Sequence, residues 1–155
     1  MLIVYKGNQK GFTLIETLIY IALLAFIIGA GVSAAYYIID SSARGKAEVG
    51  TIAEAEFLMR KIDWALTGST INTPISGTSN LLSVDKYGFS PNPIEIDHDS
   101  TSNRARIRIN GSGFYLTSEW VKVTGLEFIS IFPNGVIASS TIDGAHFEVI
   151  KYIRQ

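Results

Sequence analysis

The sequence predicts an α+β protein in which one long N-terminal helix, transmembrane in its first half, packs on an antiparallel β-sheet. Residues 12–39 form a run with a single charge, Glu16, and no proline occurs before Pro74. Beyond residue 80 the apolar period changes from that of a helix to the alternation of strands, with turn residues between short segments.

The helix is the longest inference. At about 1.5 Å per residue, residues 12–39 would measure roughly 42 Å. The hydrocarbon core of a bilayer is only about 30 Å thick, so the run spans it and projects beyond. Good helix formers then dominate ARGKAEVGTIAEAEFLMRKIDWAL, and nothing forbids one helix from residue 13 to about residue 66. Within that second half Ala47, Thr51, Ala55, Leu58, Ile62 and Ala65 recur at helical spacing, with Lys46, Glu48, Glu54, Arg60 and Lys61 largely elsewhere around the wheel. The first half is apolar all round and belongs in lipid or among partner helices. The second half is amphipathic and belongs against a globular domain. Small residues at four-residue spacing, Gly29 with Ser33 and Ala30 with Ala34, suit either close helix approach or a flexible joint.

TGSTINTPISGTSN is polar, with Gly and Pro punctuation, and predicts a loop. Strands follow. PIEID sets Ile94 and Ile96 on one face, and RARIRIN turns Ala105, Ile107 and Ile109 inward with Arg104, Arg106 and Arg108 outward. NGSG, PNG and DG are turns separating FYLTS, EWVKVTGLEFISIF, VIASSTI and AHFEVIKYI. Trp64 and Trp120 lie in apolar-periodic segments and are expected to pack in the core or on a sheet face.

Composition narrows the function. Thirteen basic and 14 acidic side chains nearly cancel, so bulk charge offers no attraction for nucleic acid. The absence of cysteine removes disulfides, thiolate metal sites and cysteine nucleophiles together. His98 and His146 are the only histidines and have no zinc spacing, and no nucleophile elbow or phosphate loop occurs, so no enzyme and no cofactor is expected. Asp97, Asp99, Thr101 and Asn103 alternate as in a calcium loop but lack its central glycine and distal glutamate, and a turn between strands is the expected use. A hairpin around STSN would set Asp99, Asp97 and Glu95 opposite Arg104, Arg106 and Arg108, cancelling the basic field that phosphate binding needs.

Glu16 remains. A carboxylate inside a spanning segment is costly and usually has a partner, yet no Lys or Arg lies within residues 12–39. A cut just before Phe12 would create the missing cation, a new α-amino group. KGFTLIETLIYIALLAF closely resembles the type IV prepilin signal: Lys10 and Gly11 end a basic leader, Phe12 follows, and Glu16 stands fifth after the cut, with Thr13 and Leu14 also fitting. The resemblance implies cleavage between Gly11 and Phe12 by the prepilin peptidase, N-methylation of Phe12, and helix assembly in which Glu16 meets the Phe12 ammonium of a neighbouring subunit. Its implied division is a leader over 1–11, a transmembrane and filament-core helix over 12–39, and an exported α+β domain over 40–155. Partners would be the peptidase, other pilin or pseudopilin subunits, an assembly platform and membrane lipid, with the chain in the cytoplasmic (inner) membrane and its C-terminal domain outside, then in a surface or periplasmic filament. Positive charge does not orient it independently, since Lys6 and Lys10 before the run are balanced by Arg44 and Lys46 after it.

EAEFLMRKIDWAL followed by FYLTSEWVKVTGLEF is similar to minor subunits of the W and J types, of pili and type II secretion, through Leu116, Thr117, Ser118, Val121, Val123, Leu126 and Phe128. Ser33 stands where many pilins have a kinking proline, and the C-terminal disulfide loop of many major pilins is absent. Two rival readings, neither polymerising, are a plain single-pass anchor and a secretory signal cut after Ala34, with Val32 and Ala34 as its small-residue site.

Overall fold

The computed structural model describes residues 11–153; the leader residues 1–10, Lys6 and Lys10 among them, lie outside the described part. Two units make up the chain, Met1–Lys46 and Ala47–Gln155. One helix, α1 (Leu14–Leu66), enters both.

Helix α1 starts where its chemistry directs. Thr13 caps it: the Glu16 amide lies 3.4 Å from the Thr13 hydroxyl and donates at 3.1 Å to the Thr13 carbonyl. Its end is a left-handed glycine cap, with Gly68 at φ 65° just past the last turn, and Ser69 Oγ donates to the Leu66 carbonyl at 2.9 Å. Lys86 adds a cation there by donating to the carbonyls of Trp64 and Thr67, where the helix macrodipole favours positive charge.

In the first unit every side chain of residues 17–39 is exposed, apolar ones included, as suits a helix whose environment is lipid or other helices. The second unit has a core of its own. From α1 only Ala55, Leu58, Ile62, Ala65 and Leu66 are buried; Ala47 is exposed and Thr51 half-buried, so the buried stripe starts two turns later than the sequence period suggests. Thr51 instead donates its hydroxyl to Asp143 at 2.8 Å.

Among the described residues nine strands form two antiparallel sheets rather than one meander. The first has the order β1 (Ser69–Thr73), β3 (Leu81–Lys86), β4 (Ile94–Asp99), β5 (Arg104–Ile109), β6 (Ser112–Tyr115); the second has β2 (Thr78–Ser79), β7 (Val123–Ile131), β8 (Gly135–Ile142), β9 (Ala145–Tyr152). β1 and β2 lie within TGSTINTPISGTSN, so half of the expected loop is strand. It pairs because neighbours supply ladders, β1 to β3 and Thr78 to Ile129 of β7. Turns in NGSG and DG hold: Asn110–Gly111 and Asp143–Gly144 adopt paired positive φ, 51° and 78°, then 49° and 85°, the geometry of two-residue hairpin loops that match strand twist.

The two sheets meet over one core, in which Leu82, Val84, Ile94 and Ile96 of the first and Val123, Leu126, Phe128 and Ile142 of the second surround the helix residues. His98 joins them, its Nε2 lying 2.9 Å from the Val123 carbonyl. Residues 116–122 leave the strands, which is where the expected position of Trp120 fails: it is 87% exposed. Trp64 is 39% exposed and packs edge-to-face on Phe89, ring centroids 5.6 Å apart.

Candidate functional site

The first turns of α1 carry Glu16, the single charge of its apolar half. Thr13-Leu14-Ile15-Glu16 is a capping-box pattern, a signal the prepilin comparison alone does not use. Only half of the box is made. The Glu16 carboxylate turns along the helix and accepts from the Tyr20 hydroxyl at 3.4 Å. Tyr20 in turn stands edge-on to Phe12, centroids 6.0 Å apart. Phe12, Glu16 and Tyr20 thus lie together, one turn apart, with the carboxylate half-buried and Phe12 74% exposed. That one long bond leaves most of the carboxylate's capacity as an acceptor unused. A cation arriving at the helix start would find an acceptor already held there by Tyr20.

The charged ladder is the second constellation. β4 and β5 pair in the expected register, Glu95 opposite Arg108, Asp97 opposite Arg106 and Asp99 opposite Arg104. Arg106 grips Asp97 through two bonds, 3.0 Å from Nε and 2.9 Å from Nη2. That hydrogen bonding, more than charge alone, raises the Arg106 pKa further above its usual value. Arg108 bridges Glu95 at 3.3 Å and Asp97 at 3.1 Å. Arg104 departs from the expected pair: its guanidinium lies 4.0 Å from the Tyr115 ring centroid and donates to the Thr117 carbonyl at 2.7 Å from Nε. Two of the three arginines are therefore neutralised by carboxylates and the third is spent on the chain itself.

Of the calcium-loop candidates, Asp97 holds the two arginines and Asp99 closes the turn. Asp99 accepts from the Thr101 amide at 3.0 Å, the Tyr115 hydroxyl at 2.9 Å and the Ser102 hydroxyl at 3.0 Å, and these bonds, the amide first, hold its pKa down to about 2. Asn103 takes the left-handed conformation at φ 53° that ends this turn. The carboxylate oxygens that would face a cation already have donors.

Asp99 also makes stability depend on pH. A carboxyl lowered from 3.8 to about 2 in the folded state stabilises it above pH 3.8 and loses that contribution as pH falls toward 2. Asp99→Asn should lower the urea midpoint at neutral pH and flatten its fall between pH 4 and 2 relative to the parent; identical pH profiles would refute the assignment.

A helix that is apolar all round and then amphipathic, set on antiparallel sheets, is an α+β, pilin-like architecture. Residues 6–32 match the family described as the prokaryotic N-terminal methylation motif. That motif marks a pilin-type substrate of the prepilin peptidase. Motif and architecture together support a type IV pilin-like, membrane-anchored protein that assembles with other pilins, a structural subunit rather than an enzyme. No curated protein and no solved structure shows a significant match to the chain.

Proposed function

We propose that the chain is a minor pilin or pseudopilin of a type IV pilus, type II secretion or competence-type filament, cut between Gly11 and Phe12 and methylated on Phe12. The observation that carries this is Glu16, the single charge of residues 12–39, four residues from the amine that the cut would expose. In the filament core Glu16 accepts the Phe12 ammonium of a neighbouring subunit, and each charge removes the cost of burying the other. Residues 1–11 are the leader, residues 12–39 the membrane and filament-core helix, and residues 40–155 the exported domain.

Assignment to the minor W or J type is supported by the segment after β6. Leu116 donates its amide to the Ala105 carbonyl at 2.8 Å, the Thr117 hydroxyl accepts from the Ala105 amide at 3.1 Å, and the Ser118 amide donates to Glu54 of α1 at 3.2 Å. These three residues fasten the connection between the sheets to both β5 and the helix. The pattern itself enters through the Thr117 hydroxyl and the buried Leu116 side chain, since the other two bonds come from main-chain amides.

Mass spectrometry of the protein isolated from membranes tests the reading. The expected N-terminal peptide begins at N-methylated Phe12, and Gly11→Val abolishes the cut. An uncut Met1, or a start near Ala35, would overturn it.

A further inference from the structure

Two apolar surfaces of the unit Ala47–Gln155 face away from its core. The first is the outer face of the second sheet. Register places Ile129, Ile137 and Ile150 side by side in one row, and Ile131, Gly135 and Tyr152 in the next. Their strand neighbours Phe128, Val136 and Ala138 are buried, so by alternation these rows point outward. Ile150 is 51% and Tyr152 61% exposed. Gly135 belongs to this surface: a Cβ there would meet the Tyr152 ring at 3.0 Å, so the missing side chain lets the ring lie across the sheet. On the other side of the isoleucine row, about 7 Å along the strands, Glu127 and Glu148 flank Ser139.

The second surface is the outer flank of α1. Val49 and Phe57 are 67% and 42% exposed, on the side away from Ala55, Leu58 and Ile62, and Trp64, 39% exposed, continues that stripe. One turn beyond Phe57 stands Lys61, its ammonium 5.4 Å from the Phe57 ring centroid and 5.8 Å from that of Trp64. Among the described residues no carboxylate lies within ion-pair distance of Lys61, whereas neighbouring Arg60 is already held by Glu56 at 3.5 Å.

We propose that these surfaces recognise each other between copies: the α1 flank of one subunit docks on the isoleucine face of the next, with Lys61 opposite Glu127 and Glu148. Within one chain they cannot meet, because the inner sides of the same helix and sheet enclose the core. Charge complements charge, and the spacings agree, since Phe57 to Lys61 is about 6 Å along a helix and the isoleucine row lies about 7 Å from the glutamate row. A contact between two different patches is heterologous, so it sets one copy against the next without a two-fold pair. It rests on the filament reading for its setting and adds a specific contact outside the helix core.

The chain has no cysteine, which makes disulfide trapping clean. Full-length Phe57→Cys and Ile150→Cys, each differently tagged, are expressed singly and together and oxidised in native membranes. The mixture should cross-link several-fold more than either variant alone. Adding Lys61→Glu should lower the yield, and Glu127→Lys with Glu148→Lys should restore it. Equal cross-linking of Ile150→Cys with itself would replace the proposal by a two-fold sheet-to-sheet contact. No cross-link in a mixture whose Phe12 is cut and methylated would overturn the contact and leave the N-terminal reading standing. Normal cross-linking of chains that keep Met1 would uphold the contact and remove its filament setting.

Discussion

Glu16→Leu is expected to insert and to lose residues 1–11 normally, yet to be nearly absent from sheared filaments. In the mature subunit the Phe12 ammonium would enter the helix core without a counter-charge. Removing one partner of a buried pair costs about 3–5 kcal/mol, and since each 1.4 kcal/mol is a factor of ten, incorporation falls by roughly a hundredfold or more. Glu16→Gln separates charge from the local structure, because glutamine keeps an acceptor for Tyr20 and the backbone amide of residue 16 keeps its bond to Thr13. If pairing with the ammonium is the function, Glu16→Gln assembles almost as poorly as Glu16→Leu. Wild-type incorporation of Glu16→Gln, measured as the ratio of filament to membrane protein by immunoblot, would assign Glu16 to the helix start and remove the ion-pair account.

The long helix was legible in the sequence because proline is absent throughout it and each half carries its own signal, an apolar run to Ile39 and a helical period from Ala55 to Ala65. Hairpins were legible where Asn110–Gly111 and Asp143–Gly144 demand positive φ. β1 and β2 were not, since Ser69–Thr73 and Thr78–Ser79 are polar and flanked by Gly and Pro. Their strand state comes from partners, for β2 a strand about fifty residues away. The same non-locality hid the division into two sheets. Trp120 misled for the opposite reason: its local pattern is apolar, but the chain there is pinned by backbone bonds to Ala105 and Asn103, on either side of residues 116–122, and the ring is left outside.

At the candidate site the sequence exposed an electrostatic problem, one carboxylate in an apolar run, and this suffices to single out Glu16. Tyr20 was missed, although a tyrosine four residues from a glutamate on a helix faces it. Along the β4–β5 ladder, alternation and a short turn fixed the opposing residues. They could not fix the bonds, because Arg104 has a ring and a carbonyl from residues 115 and 117 within reach and Asp99 has the turn's own amide and hydroxyls. Pairing geometry follows from period, whereas the choice among donors depends on what third segment arrives.

Phe128→Ala should have the largest effect on stability. Its ring is fully buried between the helix and the sheets, in β7, which takes part in the second sheet and borders the first through the Val123 and His98 contact. Truncating a buried phenylalanine costs about 3–5 kcal/mol, against a total stability of about 5–15 kcal/mol for a domain. The unit Ala47–Gln155 should therefore lose a large share of its stability, read as a marked fall in its urea midpoint. Phe132→Ala is the control, since that ring is 92% exposed on the β7–β8 turn and its loss should change stability by no more than about 0.5 kcal/mol. Trp64, edge-on to Phe89, provides the fluorescence readout, while exposed Trp120 contributes a nearly constant background. Because the methylation motif lies within residues 6–32, Phe128→Ala should still yield methylated Phe12 while its exported domain is lost to proteolysis. Equal urea midpoints for the two variants would mean that the core is not organised around β7.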